Sequence, residues 1–211
     1  AIGSGNLEGE GATVTGDQSI GIGGNVKVTG HSAIGIGGDD VVKALNQSVI
    51  YTDKSGNLIT NKTLRDAYGT LTGKNISGYP ATTASHGGVA YGVSAQAGNG
   101  GVAIGMAADS STRAGNANNP LTNAVAIGIG ARATMDNSIA IGGGSNTDSA
   151  ATSQVKAVID GVEVIWKGGE DINPGDVVSF GAKGFERQLK NVAPGEVSAT
   201  STDAVNGSQI Y

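Results

Sequence analysis

The chain has 211 residues, a formal net charge of −5 and 37 glycines, but only 4 prolines, 1 tryptophan and 2 phenylalanines. This scarcity of aromatic residues argues against a conventional core of large side chains. The acidic balance leaves no basic footprint for nucleic acid, and no apolar run is long enough to span a bilayer. The absence of cysteine excludes disulfide bonds and cysteine-ligated metal sites.

A short apolar phrase that ends in glycine repeats through residues 1–150. The glycine of each copy is Gly3, Gly21, Gly35, Gly92, Gly105, Gly128 or Gly142. The basic spacing is 13 to 14 residues, with insertions between some copies. A repeat of this kind predicts stacked coils, each of which contacts mainly its neighbours.

Each copy alternates large and small side chains. Val125, Ile127 and Ile129 are predicted on one face of a strand, with Ala126 and Gly128 on the other. The small face permits a second backbone to approach closely, whereas the large face needs an apolar partner that one thin roll does not supply.

Polar segments with turn residues, such as Val26–Gly30, lie between the apolar copies and predict one outer strand per coil. Two strands per coil define a parallel β-roll, and its isoleucines form a surface strip typical of an interface. The simplest closed assembly is a cyclic homo-oligomer with the strips on its axis, although a monomeric solenoid remains open. The residues predicted at that axis are Ile20, Ile34, Ile104, Ile127 and Ile141.

Residues 38–87 interrupt the repeats and predict a projecting lobe. Val41–Leu45 fits a strand or a helix, Tyr51–Ile59 predicts a hairpin with its turn at Asp53–Asn57, and Thr63–Tyr68 predicts a short helix. A second insertion, 109–123, is polar and predicts an exposed loop.

Projecting segments carry binding residues more often than scaffold strands do. We therefore predict that Tyr51, Tyr68 and Tyr79 of the lobe contribute to a binding surface, since tyrosine joins an apolar ring to a hydrogen-bonding end. The alternative is that the lobe clamps adjacent subunits and binds no ligand.

Residues 151–180 do not follow the repeat. Val155–Trp166 alternates around Asp160 and Gly161, a hairpin turn signal, and a second turn at Ile172–Asp176 precedes Val177–Phe180. This pattern predicts a small β-meander that connects the roll to the C-terminal segment, with Trp166 as its packing anchor.

The C-terminal segment resembles the neck of trimeric autotransporter adhesins. That neck is written as Arg-Gln-Ile/Leu-x-Asn-Val-Ala followed by Thr-Asp-Ala-Val-Asn-x-x-Gln-Leu, and Arg187–Ala193 and Thr202–Ile210 follow it. Ile210 in place of leucine, and Pro194 in the linker, depart from the pattern. The upstream repeats are similar to the head of the same family.

This resemblance implies an all-β fold, a left-handed parallel β-roll that forms a parallel homotrimer. The head would cover 1–150, a connector 151–180, and the neck with the start of a coiled-coil stalk 181–211. The neck residues expected to contact neighbouring chains are Arg187, Lys190, Asp203 and Asn206. Ser201 or Thr202 is the expected N-cap of a helix that begins at Asp203.

The implied function is adhesion at the bacterial cell surface, by the extracellular passenger of an outer-membrane protein whose anchor lies outside this fragment. Expected partners are host extracellular-matrix or cell-surface proteins, or another adhesin copy. No catalysis, cofactor, metal or nucleic acid is implied.

Two other classes of protein remain as alternatives. A left-handed β-helix acyltransferase would use His31 or His86 as general base, but its coil needs a sustained period of about 18 residues. Only the spacing from Gly3 to Gly21 equals 18. An ice- or glycan-binding solenoid would need a regular outward array of threonines, which the sequence lacks.

Overall fold

A computed structural model describes residues 1–3, 9–77, 80–113 and 119–211. Short strands dominate it, and the helical segments are few within these ranges. The strands are β1 Thr13–Val14, β2 Ile20–Gly23, β3 Val26–Val28, β4 Ile34–Gly37, β5 Ser48–Thr52, β6 Leu58–Thr63, β7 Thr82–Ala84, β8 Val89–Tyr91, β9 Gln96–Ala97, β10 Val102–Ile104, β11 Asp109–Ser110, β12 Val125–Ile127, β13 Ile139–Ile141, β14 Lys156–Ile159, β15 Val162–Ile165 and β16 Val178–Ser179. The helices are α1 Val42–Leu45, α2 Leu64–Thr72 and the 3-10 helix Gly207–Gln209.

Two parallel sheets form the body of the described chain. The apolar sheet has seven strands in the order β16-β13-β12-β10-β8-β4-β2, and the polar sheet has five in the order β1-β3-β7-β9-β11. In most coils the chain adds one strand to the apolar sheet and then one to the polar sheet. The predicted all-β roll with two strands per coil is therefore confirmed as an architecture.

The space between the two sheets is narrow. Ala103, Ala126 and Ala140 of the apolar sheet point inward and are fully buried. A Cβ atom added to Gly21 would lie 2.5 Å from Cγ2 of Val14 in the polar sheet. Small residues therefore fill the inner face of the apolar sheet, alanine and glycine in most strands and Ser179 in β16, which explains how the chain folds with so few aromatic residues.

The repeated glycine ends each apolar strand. Gly128 has φ +126°, and an added Cβ would lie 2.6 Å from the carbonyl carbon of Gly142 in the next coil. The chain turns at this glycine, so Ile129 does not continue the face of Val125 and Ile127 as the alternation predicted. Ile129 instead packs beneath the lobe.

The turns before the apolar strands are joined by side chains. Asn123 and Asn137 both have positive φ, and Nδ2 of Asn123 donates to Oδ1 of Asn137. Nδ2 of Asn137 donates to Oδ1 of Asp176 at 2.7 Å, and Oδ2 of Asp176 accepts from the Asn173 amide at 2.8 Å. These hydrogen bonds, of which the Asn173 amide contributes most, hold the pKa of Asp176 below its ordinary value.

The lobe is inserted into one coil, between β4 and β7. Gly38 and Thr82 meet at its base, where the Thr82 amide donates to the Gly38 carbonyl at 3.1 Å. The predicted hairpin and helix are confirmed as β5–β6 and α2, and the ambiguous segment forms α1. Thr63 caps α2 in a capping box with Asp66, which explains where this helix begins.

The connector differs from the predicted meander. Strands β14 and β15 form an antiparallel hairpin, but β16 pairs in parallel with β13 as the terminal strand of the apolar sheet. Pairing with β16 satisfies backbone groups on the otherwise open edge of β13.

The neck contains a shorter helix than predicted. The 3-10 helix is capped by Asn206, whose side chain accepts from the Ser208 amide while Gln209 closes a capping box. Ser201 and Thr202 therefore do not cap a helix at Asp203. Oδ2 of Asp203 instead accepts a hydrogen bond from the Glu196 amide at 3.0 Å. A helix as short as Gly207–Gln209 is only marginally stable in a single chain.

Candidate oligomerisation and adhesion surfaces

The outer face of the apolar sheet carries two adjacent columns of apolar side chains, which we call the strip. Ile20 pairs in register with Ile34 in one column. Ile104, Ile127 and Ile141 align in the other. All five predicted axis residues thus share one face, and the Ile127 side chain keeps 37% of its surface exposed in the single chain. A continuous apolar strip of this kind is typical of an interaction surface.

The five predicted axis residues are only part of the strip. The same two columns also contain Ile22, Ile36, Val89, Tyr91, Val102, Val125, Ile139 and Val178. Tyr91 occupies the position of an isoleucine in the repeat copy that ends at Gly92. Alignment of the repeat copies was therefore the signal that could have assigned Tyr91 to the strip.

The lobe packs on the roll through its own small core. Val41, Leu45, Tyr68 and Ile76 are buried together, and Met106 and Ile129 of the roll pack against them. The lobe is therefore fixed on the coil turns of its own chain.

This core corrects one predicted adhesive residue. Tyr68 is only 6% exposed, and burial raises the pKa of its hydroxyl, so its ring packs in the lobe core and offers little surface to a ligand. Tyr51 is half-buried, and its hydroxyl lies 3.3 Å from Oγ1 of Thr70. Tyr79 lies outside the described residues.

A polar cleft of about 310 Å³ lies between the lobe and the polar sheet. Lys74 and Asn75 line it from the lobe, and Gln96, Asp109 and Arg132 line it from the sheet. Nε of Arg132 lies 3.8 Å from Oδ2 of Asp109, so both charge signs are present in the cleft. Such a cleft can accept hydrogen-bonding groups of a protein surface.

The two histidines stack at the coil turns. Their ring centroids are 5.2 Å apart, with an interplanar angle of 18°. Nδ1 of His31 accepts from the Asp17 amide at 3.0 Å, and Nδ1 of His86 accepts from the His31 amide at 3.1 Å. Both rings thus join successive turns through their Nδ1 atoms.

Arg187 joins the neck to the last coil of the roll. Its guanidinium lies 4.5 Å from the centroid of the Phe185 ring, donates to the Gly143 carbonyl at 2.7 Å and donates to Oγ of Ser145 at 2.8 Å. These contacts lie within one chain and fix the position from which the neck departs.

The other predicted neck residues lie farther along. Nδ2 of Asn206 donates to the Val192 carbonyl at 3.0 Å, which folds the neck segment back on itself. Asp203 accepts from the Glu196 amide, and Lys190 is exposed. The structure does not bring these residues together with Arg187.

Comparison with known proteins supports the resemblance found in the neck. A family model described as the coiled stalk of trimeric autotransporter adhesin matches residues 188–211. A stretch of 89 residues is 43% identical to the autotransporter adhesin BtaE of Brucella suis biovar 1 (strain 1330). This match covers 42% of the chain and only 12% of BtaE. The similarity to trimeric autotransporter adhesins is thereby confirmed, and the acyltransferase alternative is not favoured.

Two solved structures are similar to the chain at low TM-scores. A C-terminal YadA-like domain from Burkholderia pseudomallei is 27% identical, with a TM-score of 0.37 over 78% of this chain and 64% of that one. The collagen-binding domain of the Yersinia adhesin YadA is 22% identical, with a TM-score of 0.45 over 97% and 88%. Both scores are too low to bear on the ligand of this chain. No helix within the described ranges is long and apolar enough to cross a membrane.

Proposed function

We propose that this chain is the head and neck segment of a trimeric adhesin on the bacterial surface. The observation that carries the proposal is the exposed apolar strip, which runs along the apolar sheet from β2 to β16. The stalk-type match at residues 188–211 supports the same assembly, because a coiled-coil stalk requires several parallel chains.

In this assembly three parallel copies place their strips on a common axis. Full burial of an isoleucine contributes about 1.5–3 kcal/mol, so burial of the exposed third of Ile127 adds roughly 0.5–1 kcal/mol per chain. Lys190, Asp203 and Asn206 of the neck then contact neighbouring chains, while Arg187 holds the neck on its own roll, and the neck leads into the coiled-coil stalk.

The binding surfaces are those that neither pack inside the roll nor face the trimer axis. The inner face of the apolar sheet is filled by the opposing sheet, and its outer face is assigned to the axis. The polar sheet, the lobe with Tyr51, and the cleft beside Arg132 remain for recognition of host matrix proteins, cell-surface proteins or another adhesin copy. Three copies of each surface per trimer favour avidity over single-site affinity. The protein is a non-catalytic passenger that acts outside the cell.

Charge substitution on the strip tests the proposal. The double variant Ile127→Asp/Ile141→Asp buries unpaired carboxylates at the axis, so sedimentation equilibrium should give the mass of one chain, against three for the parent. The control Ile50→Asp changes a lobe side chain that is 69% exposed, and it should stay trimeric. In a plate assay on matrix proteins, the parent should adhere while the monomeric variant loses avidity. A stable monomeric parent contradicts the proposal.

A further inference from the structure

The hairpin β14–β15 has one entirely apolar face. The registered pairs Ala157↔Val164 and Ile159↔Val162 lie on it, because directly opposed residues of an antiparallel pair share a face. We call these four residues the hairpin face. None of them carries a polar side-chain atom.

The opposite face of the hairpin is mixed in character. It carries the registered pairs Lys156↔Ile165 and Val158↔Glu163. Nζ of Lys156 lies 2.8 Å from Oε2 of Glu163, and both side chains are more than half exposed. The hairpin therefore has one entirely apolar side and one mixed, solvent-exposed side, on which Val158 and Ile165 lie beside the ion pair.

The apolar side is uncovered within the single chain. Ile159 is 54% exposed and Val162 is 64% exposed, although residues 119–211 are all described. An isolated two-stranded hairpin is at best marginally stable in water, so this one needs a surface to pack against.

The position of the hairpin indicates which surface that is. The chain leaves the apolar sheet after β13, forms the hairpin and returns as β16, and β13 pairs with β16 through Ile139↔Val178. Both of these residues belong to the strip. The hairpin therefore departs from and returns to the sheet whose outer face would meet the neighbouring copies, at the C-terminal end of the strip.

We infer that the hairpin face packs against a neighbouring copy of the same chain and so clasps the base of the head. This inference rests on the proposed trimer and extends its interface beyond the strip. It assigns the apolar side of the connector to assembly rather than to ligand binding.

Introduced cysteines test this placement, because the parent chain contains none. Ile159→Cys puts a thiol on the hairpin face, and its chain neighbour Val158→Cys is the matched control on the solvent side. Ala157→Cys repeats the test with a smaller change of side-chain volume. In the trimer, maleimide should label Cys at 159 and 157 about tenfold more slowly than at 158, since labelling then requires local opening.

Sedimentation equilibrium of the parent and of each variant separates the two hypotheses. A monomeric parent overturns both the trimer and the hairpin inference. A trimeric parent whose three cysteine variants are labelled at equal rates overturns the hairpin inference alone. Protection of position 159 that appears only after a matrix protein is added assigns the face to a ligand, and also overturns the inference.

Discussion

Truncation of Tyr68 distinguishes a packing role from an adhesive one. The side chain lies in the lobe core with Val41, Leu45 and Ile76, above the turn at Gly130. A Cβ added to Gly130 would lie only 2.2 Å from the Tyr68 hydroxyl oxygen, so the ring reaches fully down to the roll. Tyr68→Ala therefore opens a cavity between the lobe and the coils beneath it.

The expected cost is that of a buried aromatic side chain. Because Tyr68 is almost fully buried, replacement with alanine should destabilise the chain by about 3–5 kcal/mol. For a chain of this size, each 1 kcal/mol lowers Tm by about 2–4 °C, so a decrease of roughly 6–20 °C is expected. If the lobe unfolds separately from the roll, the same loss appears as an earlier, partial transition.

Thermal unfolding followed by circular dichroism measures this effect. Parent and variants must be compared at equal chain concentration, because assembly makes Tm depend on concentration. Tyr51→Ala is the control, since Tyr51 is half-buried and its truncation should cost much less. A Tyr68→Ala variant that melts like the parent yet no longer adheres to matrix proteins would refute the assignment of Tyr68 to the core.

Two further predictions concern the coil turns. Gly128→Ala should lower Tm well below that of the control Gly207→Ala. A side chain at Gly128 would have to adopt φ +126° and would clash with the backbone of the next coil, whereas a side chain at Gly207 would enter open space. The strained backbone alone costs about 1–3 kcal/mol, before the clash is counted. Asp176→Asn should make the free energy of unfolding less sensitive to acid. The pKa of Asp176 in the folded chain lies below its ordinary value of 3.8. The ionised carboxylate therefore contributes its full stabilisation above pH 3.8, and this stabilisation is lost as the pH falls through the folded-state pKa. Tm measured from neutral to acidic pH should show parent and variant converging at low pH, and a constant difference would contradict this account.

The roll was predictable because its signals are local and repeated. The alternation in Val125–Ile127 sets which side chains face inward, and the repeated glycine sets the length of each coil. The lobe elements were predictable for the same reason, since Asp53–Asn57 supplies a turn and Thr63 with Asp66 supplies a helix start.

The remaining features depend on contacts between distant parts of the chain. Tyr68 is buried because α2 lies over Met106 and Ile129, which the sequence does not place nearby. The return of β16 to β13 depends on an open sheet edge rather than on its own residues. In the neck, Ser201, Thr202 and Asn206 are all good capping residues, and only the folded segment selects Asn206.

The hydrogen-bonded junction at Gly38 and Thr82 separates the stacking of the coils from the lobe that is inserted between them. The strands on both sides of the lobe pair as they would without it: β3 pairs with β7, and β4 pairs with β8. The 43 residues between Gly38 and Thr82 therefore leave the strand pairing of the roll unchanged. The entropic free-energy cost of closing a loop rises by only about 0.6 kcal/mol for each doubling of the loop length. Such a junction allows the inserted segment to change in length and sequence while the coils that carry it keep their pairing.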